Sequence, residues 1–286
     1  MRKEPLNLSH QTLLTQKFRQ MRLVISEYSF ANLYLFRKQH EYEVIFGEDI
    51  YIKGIDRGKL PFMMLTSIPH HPKVSSEIIF FLNTGYFLFP IPEEWNPLFD
   101  FPLNFSFEDA DSDYLFKVEK LAFFSGRHLS KKRNLVKQLF DRYQIETAQL
   151  TQKNKSDALK ILINWQDQQK QQEQTDYFSC LEAIKLLECL NLEGVIIYID
   201  GKPAGFTIGE YLTPTCFVIH FAKGDANIHG LYQYLYQYQA QILSKQTEWI
   251  NLEQDLGLPF LRQAKHSYVP DRMILKQRAR DKNKEA

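Results

Sequence analysis

Cysteine is scarce in this chain: three residues in 286, at Cys180, Cys189 and Cys216. An odd number without short spacing excludes a disulfide framework and a thiolate zinc site, and leaves free thiols in a reducing compartment. Long apolar runs are lacking as well. Ile78 to Leu82 and Tyr86 to Phe89 are far shorter than the roughly 20 residues of a membrane helix. The opening Met1-Arg2-Lys3-Glu4-Pro5 has neither the apolar stretch nor the small-residue cleavage site of a signal peptide. A cytoplasmic protein without a transmembrane segment is the expectation. Charge of one sign is not dominant either: the formal net charge is +1 and the pI about 7.7. That excludes the broadly basic domain that DNA binding wants, so no DNA binding is expected. No metal cluster is visible, and neither a Ser-His-Asp nor a Cys-His arrangement.

What the chain has is apolar and aromatic mass. Hydrophobic residues make up 44%, with 22 Phe and 15 Tyr, enough for a substantial core. The length suits one large domain or two ordinary ones.

Against that near-neutral background, Gly126-Arg127-His128-Leu129-Ser130-Lys131-Lys132-Arg133-Asn134 gathers cations at the start of a predicted helix. The first N–H groups of a helix lack partners and its dipole is positive there. Arg127, His128, Lys131, Lys132 and Arg133 therefore suggest a site for phosphate, as on a tRNA. The bland alternative is a solvated helix face. At about 100° per residue, Leu129, Val136, Leu139, Phe140 and Tyr143 share the opposite, apolar arc.

Hydrophobic periodicity and turn residues predict an α+β chain. The first half reads as a helix capped by Ser9, a second helix from Ser29 to Phe36, and strands at 43–46, 49–53 and 61–66. A helix at 74–83, a strand at 86–90, a connection from Pro92 to Pro102 and a strand at 113–118 lead to the basic helix. The second half reads as a strand at 145–150, helices at 156–165 and 177–190, and strands at 194–199, 204–212 and 216–222. Asp200-Gly201 suits the first turn among these. A helix at 230–243, a strand at 248–252, a short helix at 259–265 and a final strand at 272–277 complete it. That order is similar to the GNAT acyltransferase fold. Two tandem GNAT-like domains are expected, each a mostly antiparallel mixed sheet flanked by helices: 1–143, ending in the basic helix, and 144–286.

Three segments carry a closer resemblance: Asp113-Tyr114 with the basic block, Gly201 to Glu210, and Asn251 to Tyr268 with Pro270. Together they resemble the family of the C-terminal domain of phosphatidylglycerol lysyltransferase. The resemblance implies a tandem GNAT fold similar to the Fem-type transferases. It also implies transfer of an aminoacyl group from aminoacyl-tRNA to an amine or hydroxyl acceptor, with no tightly bound cofactor. Two positions depart from the family pattern. Leu252 stands where Arg is usual, and Phe221 where an acid is usual.

Glu253 and Asp255, two apart near a strand end, are candidates to deprotonate the acceptor or bind a cationic aminoacyl group. Asp255 could equally be a helix cap. Lys223 and His229 flank the loop before the 230–243 helix and could meet a tRNA phosphate, or be plain exposed loop residues. In GNAT enzymes that loop is glycine-rich and takes the pyrophosphate of coenzyme A. Asp225 to Gly230 carries little of that pattern, which counts against coenzyme A. Glu210, His220, Lys265 and Tyr268 are candidate substrate contacts, Tyr268 with a core alternative. An aminoacyl-tRNA-dependent transferase is the first functional expectation. An acyl-coenzyme A N-acyltransferase and a non-catalytic RNA- or protein-binding module are the alternatives.

Overall fold

The computed structural model describes residues 1–69, 72–243 and 245–284, the side chains of 72, 73 and 284 excepted. Contacts gather the chain into two compact units. One holds Met1–Asp113, Gln254–Arg262 and the segment from Met273. The other holds Tyr114–Glu253 and Gln263–Arg272. Among the described residues no helix is long and apolar enough to cross a membrane.

The first unit contains β1 (Arg2–Pro5), α1 (Gln11–Met21), α2 (Phe30–Phe36), β2 (Glu43–Phe46), β3 (Ile50–Ile55), β4 (Pro61–Leu65), α3 (Pro72–Asn83), β5 (Phe87–Ile91) and β6 (Leu103–Phe107). The chain continues through β7 (Asp113–Lys117), α4 (Val118–Phe123), α5 (Ser130–Arg142), β8 (Ile145–Gln149), α6 (Lys155–Asp167) and α7 (Tyr177–Lys185). Then come β9 (Glu193–Ile199), β10 (Lys202–Thr213), β11 (Cys216–Gly224), α8 (Leu231–Ile242), β12 (Trp249–Asn251), α9 (Pro259–His266), β13 (Arg272–Ile274) and β14 (Gln277–Asp281).

Two seven-stranded sheets result, in the orders β1-β2-β3-β4-β5-β14-β6 and β13-β7-β12-β11-β10-β9-β8. Each is mainly antiparallel with one parallel pair: β4 with β5, and β11 with β12. A helix crosses over between the members of each parallel pair, α3 in one and α8 in the other, as parallel pairing requires. The β9–β10 hairpin turns at Asp200 (φ 49°) and Gly201 (φ 72°), the two consecutive positive φ values of a tight hairpin turn. One face of the second sheet is covered by apolar side chains of α4, α5 and α8, including Leu121, Val136, Leu139, Leu231 and Leu235.

Several expectations shift. Residues 114–143, expected with the first domain, cluster with the second unit, because β7 pairs with β12. The expected final strand is two strands in different sheets: β13 edges the second, while β14 lies between β5 and β6 of the first. The strands β1 and β6 and the helix α4 were not expected. Ser9 does not cap α1: it lies in a 3-10 turn, Leu8–His10, capped by Asn7, whose side chain accepts the Ser9 N–H, and α1 follows with no side-chain cap. Phe140 is half exposed instead of lining the core.

The first unit is tied by a buried cation. Lys276 Nζ, with no exposed surface, lies 2.6 Å from Asp113 Oδ1 and 2.6 Å from Glu27 Oε2. It also donates to Ser26 Oγ (3.1 Å) and Gln254 Oε1 (3.0 Å). Ser26 donates its backbone N–H to Asp113 Oδ2 at 2.8 Å. One cation between two carboxylates leaves an excess negative charge in the interior. Burial, and then the neighbouring Asp113, push Glu27 up to about 7 against the pull of Lys276. Because the folded state holds this proton more tightly than the unfolded chain, the associated stability is complete below pH 4.5. It is lost as pH rises towards 7. Melting temperatures across that window should fall for the wild type and stay level for Glu27→Gln. Lys276→Met should cost about 3–5 kcal/mol at neutral pH, since it strands two buried carboxylates.

Candidate functional site

The site begins with an irregularity of strand pairing. β10 and β11 pair from Gly205↔Gly224 to Ile208↔Phe221, and resume at Gly209↔Ile219. His220 has no partner across the pair and forms a one-residue bulge, a device that re-aims a side chain. Gly209 lies opposite. A Cβ there would sit 1.9 Å from the Val218 carbonyl oxygen, so the close approach needs glycine. On its other side, β11 pairs with β12 only from Cys216↔Trp249 to Val218↔Asn251. The pairing stops next to the bulge. Beyond it the backbone turns sharply, with Glu253 at φ 58°. Asn251 Oδ1 accepts the Glu253 N–H at 2.6 Å and fixes that turn.

At this parting, the His220 side chain is completely buried between two acids. Its Nδ1 is 2.7 Å from Glu253 Oε1, and its Nε2 is 3.0 Å from Glu210 Oε1. Burial alone would lower the imidazole pKa. The hydrogen bonds and charges of Glu210 and Glu253 outweigh it and raise the pKa to about 10. Both acids thus favour the protonated form of the His220 ring. The two carboxylates retain 18% and 14% exposure, so they form the part of the cluster that reaches the surface. The trio carries one net negative charge, suited to an ammonium or to taking up a proton.

Lys265 supports the same turn, with Nζ 3.1 Å from the Glu253 carbonyl oxygen. Tyr114 donates its backbone N–H to that oxygen at 3.3 Å. Tyr268 is buried against Phe116, Phe124 and Tyr236, and burial pushes its hydroxyl pKa up. It belongs to the core. Leu252 and Phe221 are both buried, so the two family departures are filled by packing.

Glu253 and Asp255 do not share a strand face, because β12 ends at Asn251. Asp255 has no exposed surface. Its carboxylate receives Arg262 Nε at 2.8 Å, Arg262 Nη2 at 3.2 Å and the Gly257 N–H at 2.8 Å. That is the arrangement of a turn lock. Glu210 lies inside β10, which runs on to Thr213.

The basic residues divide into two groups. Lys132 is half-buried, with Nζ 2.7 Å from Ser267 Oγ and 4.1 Å from the Tyr268 ring centre; burial lowers its pKa. Arg133 donates to the carbonyls of Phe124 and Gly126. Lys223 is a strand residue of β11 rather than a loop residue. It is buried, 2.6 and 2.8 Å from the Asp176 carboxylate oxygens and 3.8 Å from the Trp165 ring centre. Arg127, His128 and Lys131, at the start of α5, are exposed, as is His229. Partners such as Asp176 and Asn251 were invisible in the sequence: Lys223 and Asp176 are 47 positions apart, and no local pattern links them.

This division has a measurable consequence. Arg133→Ala should cost about 0.5–1.5 kcal/mol, the net range for an ordinary hydrogen bond, because its side chain is exposed while its guanidinium serves two carbonyls. Lys131→Ala should stay within about 0.5 kcal/mol of wild type, as exposed surface changes do. Equal losses in denaturant melts would contradict the assignment.

Comparison with known proteins agrees with this architecture. No curated protein matches the sequence. A conserved protein of unknown function from Bacteroides thetaiotaomicron superposes with a TM-score of 0.85 at 22% identity, covering 98% of each chain. The C-terminal domain of a putative lysylphosphatidylglycerol synthetase from Agrobacterium fabrum gives 0.64 at 15% identity, over 96% of this chain and 92% of that one. FemX gives 0.55 at 6% identity, over 99% and 98%. The fold is thus shared with FemX and with the C-terminal domain of that putative synthetase. The family model described as phosphatidylglycerol lysyltransferase, C-terminal, matches residues 18–280, and the chain belongs to that family.

Proposed function

We propose that this protein is an aminoacyltransferase that moves an aminoacyl group from aminoacyl-tRNA to an amine or hydroxyl acceptor. The observation that carries the reading is the Glu210–His220–Glu253 cluster where β11 and β12 part. In the proposed step, the acceptor nitrogen or oxygen bonds to the ester carbonyl carbon. The ester bond to the terminal ribose breaks, and the ribose oxygen leaves with a proton. Glu253 takes the proton that the acceptor gives up. Backbone N–H groups beside the bulge hold the oxyanion formed on the way. Arg127, His128 and Lys131 meet tRNA phosphates. No resident cofactor is needed for such a transfer.

An acyl-coenzyme A donor is disfavoured by the loop before α8. The Asn227 N–H is held by Asp225 Oδ1 at 2.9 Å, and the Leu231 N–H by the Ile228 carbonyl at 3.2 Å. Gly230 is buried, and a Cβ there would lie 2.4 Å from the Leu135 carbonyl oxygen. The loop already has its own carboxylate where a pyrophosphate would need N–H groups.

The test supplies labelled amino acids on a full set of charged tRNAs, with lipid and peptide fractions as acceptors. Wild type should transfer label, and Glu253→Gln should lower the turnover of the folded protein by about a hundredfold or more, together with a lower melting temperature because a buried cation loses one of its two acids. Equal transfer by both proteins removes Glu253 as the base. Absence of transfer from every charged tRNA leaves the non-catalytic binding module. Saturable micromolar binding of acetyl-coenzyme A in calorimetry would reverse the choice of donor.

A further inference from the structure

We infer that His220 is the positioning residue of this site: a fixed imidazolium that clamps Glu210 and Glu253 and takes no part in proton transfer. Its kinetic consequence rests on the reading of Glu253 proposed above; its protonation state does not.

The geometry makes the argument. A neutral imidazole has one N–H donor and one lone pair. Here each ring nitrogen faces a carboxylate oxygen, at 2.7 and 3.0 Å. A neutral ring would aim a lone pair at one of the two acids. With both acids ionised, the doubly protonated ring is the form that satisfies both. The charged groups around it come from each neighbouring element: Glu210 on β10, Glu253 after β12, and Lys265 on α9, whose Nζ holds the carbonyl of Glu253. A proton relay needs a ring that loses its proton readily and exchanges with solvent. This ring has no exposed surface, and both its partners favour the charged form.

The chain also gives up regular pairing to place this ring. The bulge leaves His220 unpaired, and Gly209 allows the strands to approach beside it. From the middle strand, the ring reaches one acid on each side. Without the charge, two carboxylates would face one another across the same opening, and repulsion would turn them apart. The clamp therefore sets the direction of Glu253 and offsets half of the charge of the two carboxylates.

Side-chain nitrogen NMR on the full chain decides the protonation state. Both His220 nitrogens should remain protonated from about pH 6 to pH 9 and release a proton near pH 10. Glu210→Gln and Glu253→Gln should each lower that transition. In transfer assays, His220→Gln should lower kcat about tenfold or more with little change in KM, the signature of lost orientation. His220→Lys, which keeps a cation, should recover part of the loss. A single neutral tautomer at pH 7 overturns the inference. So does an acidic limb in the wild-type rate profile that disappears in His220→Gln. Should the wild type transfer nothing, the proposed activity fails on its own. Carboxylate carbon shifts of Glu210 and Glu253 then decide the clamp: a change in His220→Gln supports it, and no change overturns it.

Discussion

A buried imidazolium must have its charge answered at both nitrogens, and the arrangement of β10, β11 and β12 follows from meeting that demand at His220. The ring projects from the middle strand, and its acids come from the flanking elements. To aim it, β11 carries one residue more than β10 can pair. To let the backbones close around the bulge, position 209 is glycine. To bring Glu253 back towards the ring, the chain turns through a positive φ that the Asn251 side chain holds in place. Unanswered charge in an interior is costly enough for these local departures to be the cheaper arrangement.

The first unit solves a similar problem with other residues. Lys276 is enclosed by two carboxylates, a hydroxyl and an amide from segments as distant in sequence as Ser26 and Gln254. Exchanging a whole buried ion cluster for apolar side chains is often neutral in energy, whereas removing one member is severe. On that arithmetic the cluster acts on which segments meet more than on total stability. Its members lie where the chain path is least regular: before α2, at the start of β7, after β12 and just before β14. The segment carrying Lys276 is followed at once by β14, which enters the first sheet between β5 and β6 instead of extending an edge.

Local rules made much of this fold legible, and long-range ones hid the rest. The Asp200-Gly201 hairpin and the helices α2, α3 and α8 follow from turn chemistry and periodicity, and they stand within a residue or two of where those rules put them. The strand β1, Arg2 to Pro5, is short and polar and shows no alternation, whereas β6, Leu103 to Phe107, does alternate apolar and polar residues, a signal masked by the Pro-rich stretch before it. The last strand was read as one because nothing between Ile274 and Gln277 signals a change of sheet. At the site, Glu210, His220 and Glu253 could each be named from their positions along the chain. That one clamps the other two depends on a bulge, and sequence spacing carries no sign of it.

The same distinction narrows what the basic stretch can do. Read as sequence, it offers a continuous run of cations. In the fold, Lys132 and Arg133 are engaged with Ser267, Tyr268 and the carbonyls of Phe124 and Gly126, and Lys223 is held by Asp176 and Trp165. Arg127 and His128, just before α5, and Lys131, in its first turn, are exposed, and so is Arg133 beside the two carbonyls it donates to. Each neutralised phosphate contributes about 0.7–0.9 to the salt slope of nucleic-acid binding. A contact confined to these few side chains supplies only a shallow dependence, far from that of an extended nucleic-acid groove. In the proposed reaction, a tRNA is then held at a small phosphate contact. The preference for a charged over an uncharged tRNA then has to come from the aminoacyl end, where the carboxylates of Glu210 and Glu253 at the parting of β11 and β12 face the amino group.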